Sequence, residues 1–407
     1  MDVFSPAYLL DWAALLLRWL HVIVGIAWIG ASFYFVWLDN HLQKPSAPEL
    51  RARGVDGELW AVHGGGFYNP QKYMVAPPDL PQQLHWFYWE SYWTWISGFA
   101  LFVLLYLANA NTYLIDPRVH AWSAPAAVAA ALGFLASGWL VYDQICRRFG
   151  HKADGSIGND GRVLGLIAVF VVGASWAASQ LFAGRAAFLI IGAMLATMMS
   201  ANVLFWIIPG QKQVIADMRA GRPVSPVFGQ RGKQRSVHNT YFTLPVLIAM
   251  LSNHYGMLYS HAQNWLVLVL LMAVGVLVRV FFVQRHKGVQ DWRFVAAALA
   301  LLAGLIVWMA PRPAPAPDAS AAAASAPVAP GMAEVQAIVT QRCVMCHNAE
   351  LAQKGVQLHS PELIRHNAQA LYQQAVVQKL MPMNNATQIT DAERALLGRW
   401  FEAGAQP

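Results

Sequence analysis

The residue types with the clearest chemistry lie near the C-terminus, where Cys343, Cys346 and His347 form a C-x-x-C-H motif. In such a motif the two thiols add to the vinyl groups of a haem and the histidine binds its iron. A zinc or redox pair of cysteines is the alternative. A Met-Pro pair follows, so we expect Met381 as the second iron ligand, with Met383 as the competing candidate. Histidine–methionine ligation raises the potential of a haem, so this one is predicted to accept electrons and pass them on.

The residues around this motif predict a small helical domain. The segment 333–342, which precedes the motif, is helical in character. A final helix begins at Thr390, which forms a capping box with Glu393, and it continues through Trp400 and Phe401. A helix, the attachment motif, a methionine loop and a closing helix together are typical of a small cytochrome c.

A second set of chemically capable residues lies within apolar stretches, where ionisable side chains are costly and are functional candidates. His21 and His254 are expected at one depth of a membrane, and His85 and His238 at another. Two histidine pairs at two depths could hold two b-type haems, with Arg18 pairing with a propionate. The alternative is that each histidine lies at an interface or forms a hydrogen bond between helices.

A glycine-rich loop offers a third candidate site. His63 is followed by three glycines, and Phe67, Tyr68, Asn69 and Lys72 come directly after them. Glycines let a backbone approach a ligand closely, and the aromatic rings could stack on a planar one. An interfacial aromatic belt is the alternative for the nearby Trp- and Tyr-rich run at 85–90.

The elements that position these residues are predicted to lie in a membrane. The chain has 407 residues, of which 57% are hydrophobic and 12% are charged, whereas soluble domains average about 25% charged residues. Its three cysteines form no disulfide framework, and Cys146 is expected to be a buried, inert thiol. The formal net charge of +7 reflects loops on one side of a bilayer, so no nucleic-acid partner is predicted.

Eight stretches have the length and apolar character of a membrane-spanning helix, which needs about 20 residues. They are 12–37, 84–108, 122–145, 163–183, 187–209, 238–254, 262–283 and 292–310. The sixth is short and has polar ends. The expected fold class is therefore all-α, an eight-helix transmembrane bundle followed by a small α-helical cytochrome c domain.

The basic residues of the loops predict the orientation of this bundle. The loops on one side contain Lys44, Arg51, Arg53, Lys72, Arg147, Arg148, Lys152, Arg162, Lys212, Arg219, Arg222, Arg231, Lys233, Arg235, Arg285, Lys287 and Arg293. The loops on the other side contain only Arg118 and Arg185. The richer set should face the cytoplasm, which places the N-terminus and the C-terminal domain outside. No cleavable signal peptide is expected.

The domain boundaries follow from composition. Residues 1–310 form the membrane domain, and 311–331 are an Ala- and Pro-rich linker that cannot bury a core. Residues 332–407 have the composition of a soluble domain and form the expected cytochrome c domain.

Taken together, these features resemble one family, the membrane-bound bacterial urate oxidases, or urate hydroxylases. The resemblance rests on the opening helix with Arg18, His21 and Gly25, on the loop 63–68, on the eight stretches and on the terminal C-x-x-C-H domain. It covers essentially the whole chain. The sequence Met381-Pro382-Met383 departs from the Met-Pro-Pro expected of the family, which leaves the second iron ligand open.

The resemblance implies oxidation of urate to 5-hydroxyisourate in purine catabolism, at the bacterial inner membrane with the cytochrome c domain in the periplasm. Electrons would pass through haem c to a soluble cytochrome c or a terminal oxidase, without forming hydrogen peroxide. Urate is a planar anion, and its site needs a cation, amide-type donors, an aromatic face and a base. We assign catalysis to His63, Lys72 and Tyr68, and substrate binding to Phe67, Asn69 and Arg18. A site near Arg18, Asn253 and His254 is the alternative.

Two other functions fit the same sequence. One is a membrane cytochrome that only transfers electrons for a separate dehydrogenase. The other is a transporter with a fused redox sensor, against which the lack of internal repeats argues. A urate-sized polar pocket in the membrane part would distinguish the oxidase from both.

Overall fold

The computed structural model describes residues 6–310, 330–352 and 355–406 of the chain. About 70% of it is helical, with very little strand. The predicted linker at 311–331 falls almost entirely outside the described residues, so the structure does not test it.

The long helices, in chain order, are α1 (Pro6–His41), α2 (Trp89–Phe102), α3 (Ala124–Gly150), α4 (Asp160–Leu181), α5 (Gly184–Asn202), α6 (Ile208–Arg219), α7 (Pro226–Leu251), α8 (Asn264–His286), α9 (Arg293–Met309), α10 (Met332–Arg342) and α11 (Asp391–Glu402). Short α-helical turns lie at Pro48–Ala52, Ala110–Tyr113, Gly256–Tyr259, Pro361–His366 and Ala368–Leu371, and 3-10 turns at Ser252–His254 and Met383–Asn385. Segments of π-helix lie at Val103–Leu107, Val203–Ile207 and Tyr372–Val377.

Each of the eight predicted apolar stretches contains a helix, although the bounds differ. Within the described residues, five helical segments are long and apolar enough to cross a membrane, namely Tyr8–His41, Ala124–Gly150, Asp160–Leu181, Gly184–Arg219 and Asn264–His286. Arg293–Met309 is apolar but shorter. These segments are compatible with a multi-pass membrane protein.

The largest difference from the predicted bounds is in α7. We expected a span at 238–254, but the helix begins at Pro226, where Ser225 caps it by accepting a hydrogen bond from the Val227 amide. Its first three turns are polar, so a hydropathy pattern does not detect them. Pro245 lies inside this helix, and proline cannot donate the hydrogen bond to the carbonyl four residues earlier.

The best-buried helix is α5, which packs against α3 and α7. Small residues let these helices approach closely. A Cβ atom at Gly138 of α3 would collide with the Met194 side chain of α5, and one at Gly192 would lie 3.0 Å from the Cβ of Ala249 on α7. Packing of small residues is the usual means of association between helices in a membrane, where lipid is as apolar as the helices.

The loop between α1 and α2 forms two small antiparallel hairpins. Gly57–Glu58 pairs with Gln71–Lys72, and Ala61–His63 pairs with Gly66–Tyr68. The turn of the second hairpin consists of Gly64 and Gly65, whose φ angles are 57° and 82°. Both lie in the left-handed region that a tight hairpin turn requires, so two of the glycines in this loop serve the turn. We call this end of the bundle the hairpin end.

The C-terminal region has its own apolar core, in which α10 packs against α11. Val335, Val339, Leu397 and Trp400 are each at most 1% exposed. The closing helix begins with the predicted capping box between Thr390 and Glu393, which is confirmed. The predicted helix at 333–342 is confirmed as α10.

The contact between α3 and α5 gives a stability prediction. Changing Gly138→Ile forces Met194 and the backbone apart, and overpacking of this kind costs about 1–3 kcal/mol. Gly133→Ile on the same helix is the matched control, because a Cβ there has nothing within 4 Å. We expect thermal unfolding in detergent, followed by tryptophan fluorescence, to shift downward only for Gly138→Ile. Equal transitions for the two variants would contradict this packing.

Candidate functional site

The most polar part of the bundle interior centres on Asp143 of α3. Its Oδ1 accepts hydrogen bonds from Arg235 Nη2 on α7 and from Trp206 Nε1, both at 2.7 Å. Its Oδ2 faces Arg147 Nε at 2.7 Å. The Arg235 side chain is only 1% exposed, and a buried charge of this kind is tolerated only when it is paired and hydrogen-bonded. Asp143 therefore holds three side chains from three separate segments.

The π-helical segment Val203–Ile207 contributes to this arrangement because it carries Trp206. The Arg235 guanidinium carbon lies 4.8 Å from the centre of the Trp206 ring, and that of Arg147 lies 4.9 Å from the same ring. Such cation–π contacts strengthen when they are removed from water. Local π-helical turns occur frequently at functional sites.

The polar contacts continue from Arg235 toward a tyrosine–histidine pair. Asn202 Nδ2 donates to the Tyr142 hydroxyl at 2.8 Å and to Asn239 Oδ1 at 2.9 Å. The Tyr142 hydroxyl lies 2.8 Å from His238 Nδ1. This hydroxyl accepts from Asn202, and its own proton is available for a hydrogen bond to His238 Nδ1. We call Tyr142, Asp143, Asn202, Arg235, His238 and Asn239 the buried polar network.

Two residues singled out from the sequence, His238 and Cys146, lie in or beside this network. His238 was expected as a haem b ligand, and that role stays a prediction; its Nδ1 contacts the Tyr142 hydroxyl. Cys146 is fully buried, as expected, and its sulfur lies 3.8 Å from His238 Nδ1. The hydroxyl and imidazole are suited to holding or passing a proton inside the bundle.

The other three predicted haem b ligands lie apart from the network. His21 Nδ1 bonds the Ser97 hydroxyl at 3.1 Å, and that hydroxyl donates to the Trp93 carbonyl. His21 therefore donates through Nδ1 and keeps the Nε2 lone pair, which suits a metal ligand. His85 is exposed and its ring contacts Phe87, whereas His254 is exposed beside the end of α7. The described residues contain no group of three or more His, Cys, Asp or Glu placed to hold a metal ion.

The predicted substrate loop does not form an enclosed pocket. Phe67 is 77% exposed and Tyr68 is 54% exposed, and His63 is exposed on the same hairpin. Asn69 donates its amide to Glu58 and to the Leu59 carbonyl, so it stabilises the hairpins themselves.

Lys72 has a partner as well. Its Nζ lies 2.6 Å from Asp39 Oδ1, while Lys233 of α7 lies 2.9 Å from the other oxygen of the same carboxylate. These ion pairs fasten the hairpins and α7 to the end of α1. Lys72 therefore stabilises the hairpin end, and its charge is partly neutralised there.

In the alternative site, at the end of the bundle opposite the hairpins, Asn253 already has hydrogen-bond partners within the protein. Asn253 Oδ1 accepts from the Tyr106 hydroxyl at 2.8 Å and from Arg185 Nε at 3.1 Å. Arg18 is exposed on the surface of α1. These contacts join helix ends at the end of the bundle opposite the hairpins.

Sequence reasoning missed Arg279 on α8, although a charge inside the predicted span 262–283 was the available signal. This residue is 4% exposed. Its Nε and Nη2 atoms are buried and have no hydrogen-bond partner among the described residues. Its guanidinium carbon lies 3.9 Å from the centre of the Phe33 ring on α1.

The C-x-x-C-H segment directly follows α10. Cys343 is buried, and its burial raises the pKa of the free thiol to about 11, whereas Cys346 is exposed. His347 Nδ1 bonds the Val356 carbonyl at 3.2 Å. A backbone carbonyl on Nδ1 fixes the ring and leaves Nε2 for a metal, as is usual for histidine ligands. The donor set therefore fits a covalently attached haem whose iron binds His347.

The predicted methionine ligand lies in a segment with a fixed backbone. Arg394 of α11 is 4% exposed, and its Nη1 donates to the carbonyls of Met381, at 2.8 Å, and of Ala375. Met381 and Met383 are both partly buried. The structure thus leaves both methionines as candidates for the second iron position.

The same segment contacts the bundle at the end opposite the hairpins. Asn384 Nδ2 donates to the Thr112 carbonyl at 2.6 Å. Leu380 packs against Gly256 so closely that a Cβ atom at Gly256 would collide with it. The methionine segment is therefore the side of the C-terminal region that faces the bundle.

Residues 7–310 match the family described as Urate oxidase N-terminal. The chain belongs to that family. The matched range includes the buried polar network, the hairpins and Arg279, and it ends before the C-x-x-C-H segment. Membership in this urate oxidase family indicates a urate-related function and oxidoreductase chemistry. No curated protein and no solved structure matches the chain.

The Asp143 pair in this urate oxidase region gives a second stability prediction. Asp143→Asn leaves Arg235 as an uncompensated buried charge, which typically costs about 3–5 kcal/mol. The matched control is Asp291→Asn, because Asp291 pairs with an Arg293 side chain that is 90% exposed. We expect a large drop in the thermal midpoint for Asp143→Asn and little change for the control. Similar midpoints would mean that Arg235 finds compensation elsewhere.

Proposed function

We propose that the protein is a membrane-bound urate oxidase that converts urate to 5-hydroxyisourate and delivers the electrons to a haem c on its own C-terminal domain. The observation that carries this proposal is the joining, in one chain, of a urate oxidase family region at 7–310 with a C-x-x-C-H segment. The first supplies the substrate class, and the second supplies an electron acceptor other than oxygen. No peroxide forms on this route.

The proposed reaction balances with water as the oxygen donor. Urate and water give 5-hydroxyisourate, two protons and two electrons. When bound, the haem c takes the electrons one at a time and passes them to a soluble cytochrome c or a terminal oxidase. The protein must hold urate while both electrons leave and must accept the protons. Tyr142 and His238 are suited to the second task because they form a buried hydrogen-bonded pair.

The proposed location is the bacterial inner membrane, with the helices of the eight predicted stretches spanning it. The excess of Lys and Arg in the loops of the hairpin end supports a cytoplasmic position for that end. The C-terminal domain then lies in the periplasm, where haem attachment to such motifs takes place. Its contact through Asn384 with Thr112, at the opposite end of the bundle, agrees with this orientation.

The proposal is tested by an optical spectrum of the purified, haem-loaded protein before and after anaerobic addition of urate. We expect the c-type absorption band to become that of the reduced form. A second, b-type band would support a membrane haem, for which His21 is the best-suited ligand. A haem c that is reduced by dithionite but not by urate would contradict the oxidase and favour an electron-transfer subunit.

The contact at Gly256 gives a prediction for the electron route. Gly256→Leu should push Leu380 and the methionine segment away from the bundle. Since electron tunnelling falls steeply with distance, urate should then reduce haem c several-fold more slowly, while dithionite reduces it as before. Gly304→Leu is the control, because a Cβ there meets nothing within 4 Å. An unchanged rate with urate would exclude this docked arrangement as the route.

A further inference from the structure

Arg279 is a buried arginine whose Nε and Nη2 atoms have no hydrogen-bond partner in the part of the chain that the structure describes. Arg235, which is buried to a similar extent, is paired with Asp143. A charge without partners in a low-dielectric interior is strongly destabilising, so such a residue is a candidate for binding a ligand.

The two open atoms define what the ligand must look like. Nε and Nη2 form one edge of the guanidinium plane, and they donate two parallel hydrogen bonds to a pair of adjacent acceptors that share a negative charge. One face of Arg279 is covered by the Phe33 ring, at 3.9 Å from the guanidinium carbon. A ligand on the open edge therefore lies in the guanidinium plane, which favours a flat anion.

The helix facing Arg279 adds a hydrogen-bond acceptor. Gly275, one turn before Arg279, packs closely against α7, since a Cβ atom added there would lie 3.0–3.4 Å from Leu244 and Pro245. Because α7 and α8 run antiparallel, Tyr241 lies level with Arg279. Pro245 has no N–H group for the Tyr241 carbonyl, so that carbonyl lacks its usual donor within α7. The site thus offers two charged donors and one backbone acceptor.

Arg279 lies where α8 packs against α1, and we call this interface the seam. It continues from Arg279 to the hairpin end. His286 lies about two helical turns beyond Arg279 and its ring centre is 5.4 Å from that of His41 on α1. Trp37 stacks on His41 with ring centres 5.0 Å apart. These side chains give the seam a polar and aromatic end near Lys72 and Lys233, which share the Asp39 carboxylate, and the one positive charge that remains on this cluster would favour entry of an anion from that side.

We propose that Arg279 is the substrate-anion site of this protein and that it holds the urate monoanion by its N3 and O2 edge. Those two adjacent atoms share the negative charge of urate and match the open guanidinium edge. Bound in this way, urate turns an N–H group toward other partners, such as the Tyr241 carbonyl, and leaves C5, the carbon to be hydroxylated, away from the arginine. This inference rests on the proposed function, and a phosphate headgroup of an anionic lipid is the other anion that this edge could bind.

The test is direct binding of radiolabelled urate to the full-length, haem-loaded protein in lipid nanodiscs. The haem is reduced beforehand with dithionite, so that no turnover occurs. Arg279→Met should raise the dissociation constant by about tenfold to a hundredfold, as expected for loss of a charge-assisted pair of hydrogen bonds. Arg279→Lys keeps the positive charge, but an ammonium group cannot donate two parallel hydrogen bonds as a guanidinium does. This variant should therefore also bind urate more weakly than the wild type. Phe33→Leu, which keeps an apolar side chain, should weaken binding several-fold.

Arg285→Met is the matched control, because Arg285 is an exposed cation on the same helix, and its dissociation constant should equal that of the wild type. If wild-type protein does not bind urate, the proposed function itself fails. If the wild type binds and Arg279→Met and Arg279→Lys bind equally well, only the assignment of the site is wrong. If anionic lipid in the nanodisc stabilises the wild type but not Arg279→Met, while urate binding is the same for both, Arg279 binds a lipid headgroup and the inference is overturned.

Discussion

The structure depends on one constraint, which is that a polar group buried in an apolar helix bundle must find its partner within the protein because no water is there to replace it. Asp143 meets this constraint for the centre of the bundle. It pairs with Arg235, which is almost completely buried, and holds Trp206 and Arg147 in place. Helices α3 and α7 and the π-helical end of α5 are thereby locked in one arrangement. In this arrangement small residues pack closely between the helices. The Tyr142 hydroxyl then lies within hydrogen-bond distance of His238.

Against this background an unpartnered arginine is informative. Arg279 is buried to a similar extent, yet two of its donor atoms meet no acceptor among the described residues. In the proposed reaction the buried polar network would accept protons and Arg279 would hold the anion. Both lie within the range that matches the urate oxidase family. The exposed hairpins, by contrast, use Lys72 and Asn69 to fasten the end of α1.

In the proposed reaction the C-terminal region would connect this chemistry to an electron acceptor. His347 is oriented by the Val356 carbonyl, and Arg394 fixes the backbone of Met381. The methionine segment faces the bundle, whereas Cys346 lies exposed. Cys343, Cys346 and His347 would hold the haem, which would supply one-electron transfer between the bundle and a soluble partner.

The sequence by itself determined the helical class, the places of the long helices, the C-x-x-C-H motif and the capping box at Thr390, because hydropathy, spacing and capping are local properties. Only the tertiary structure decided which polar residues meet. Tyr142 and His238 are 96 residues apart, and their contact depends on how two helices are rotated and packed. For the same reason the sequence did not show that the glycine loop folds as an exposed hairpin, and Arg279 was missed. A charge within a span is visible in the sequence, but whether it has a partner is a property of the packed helices around it.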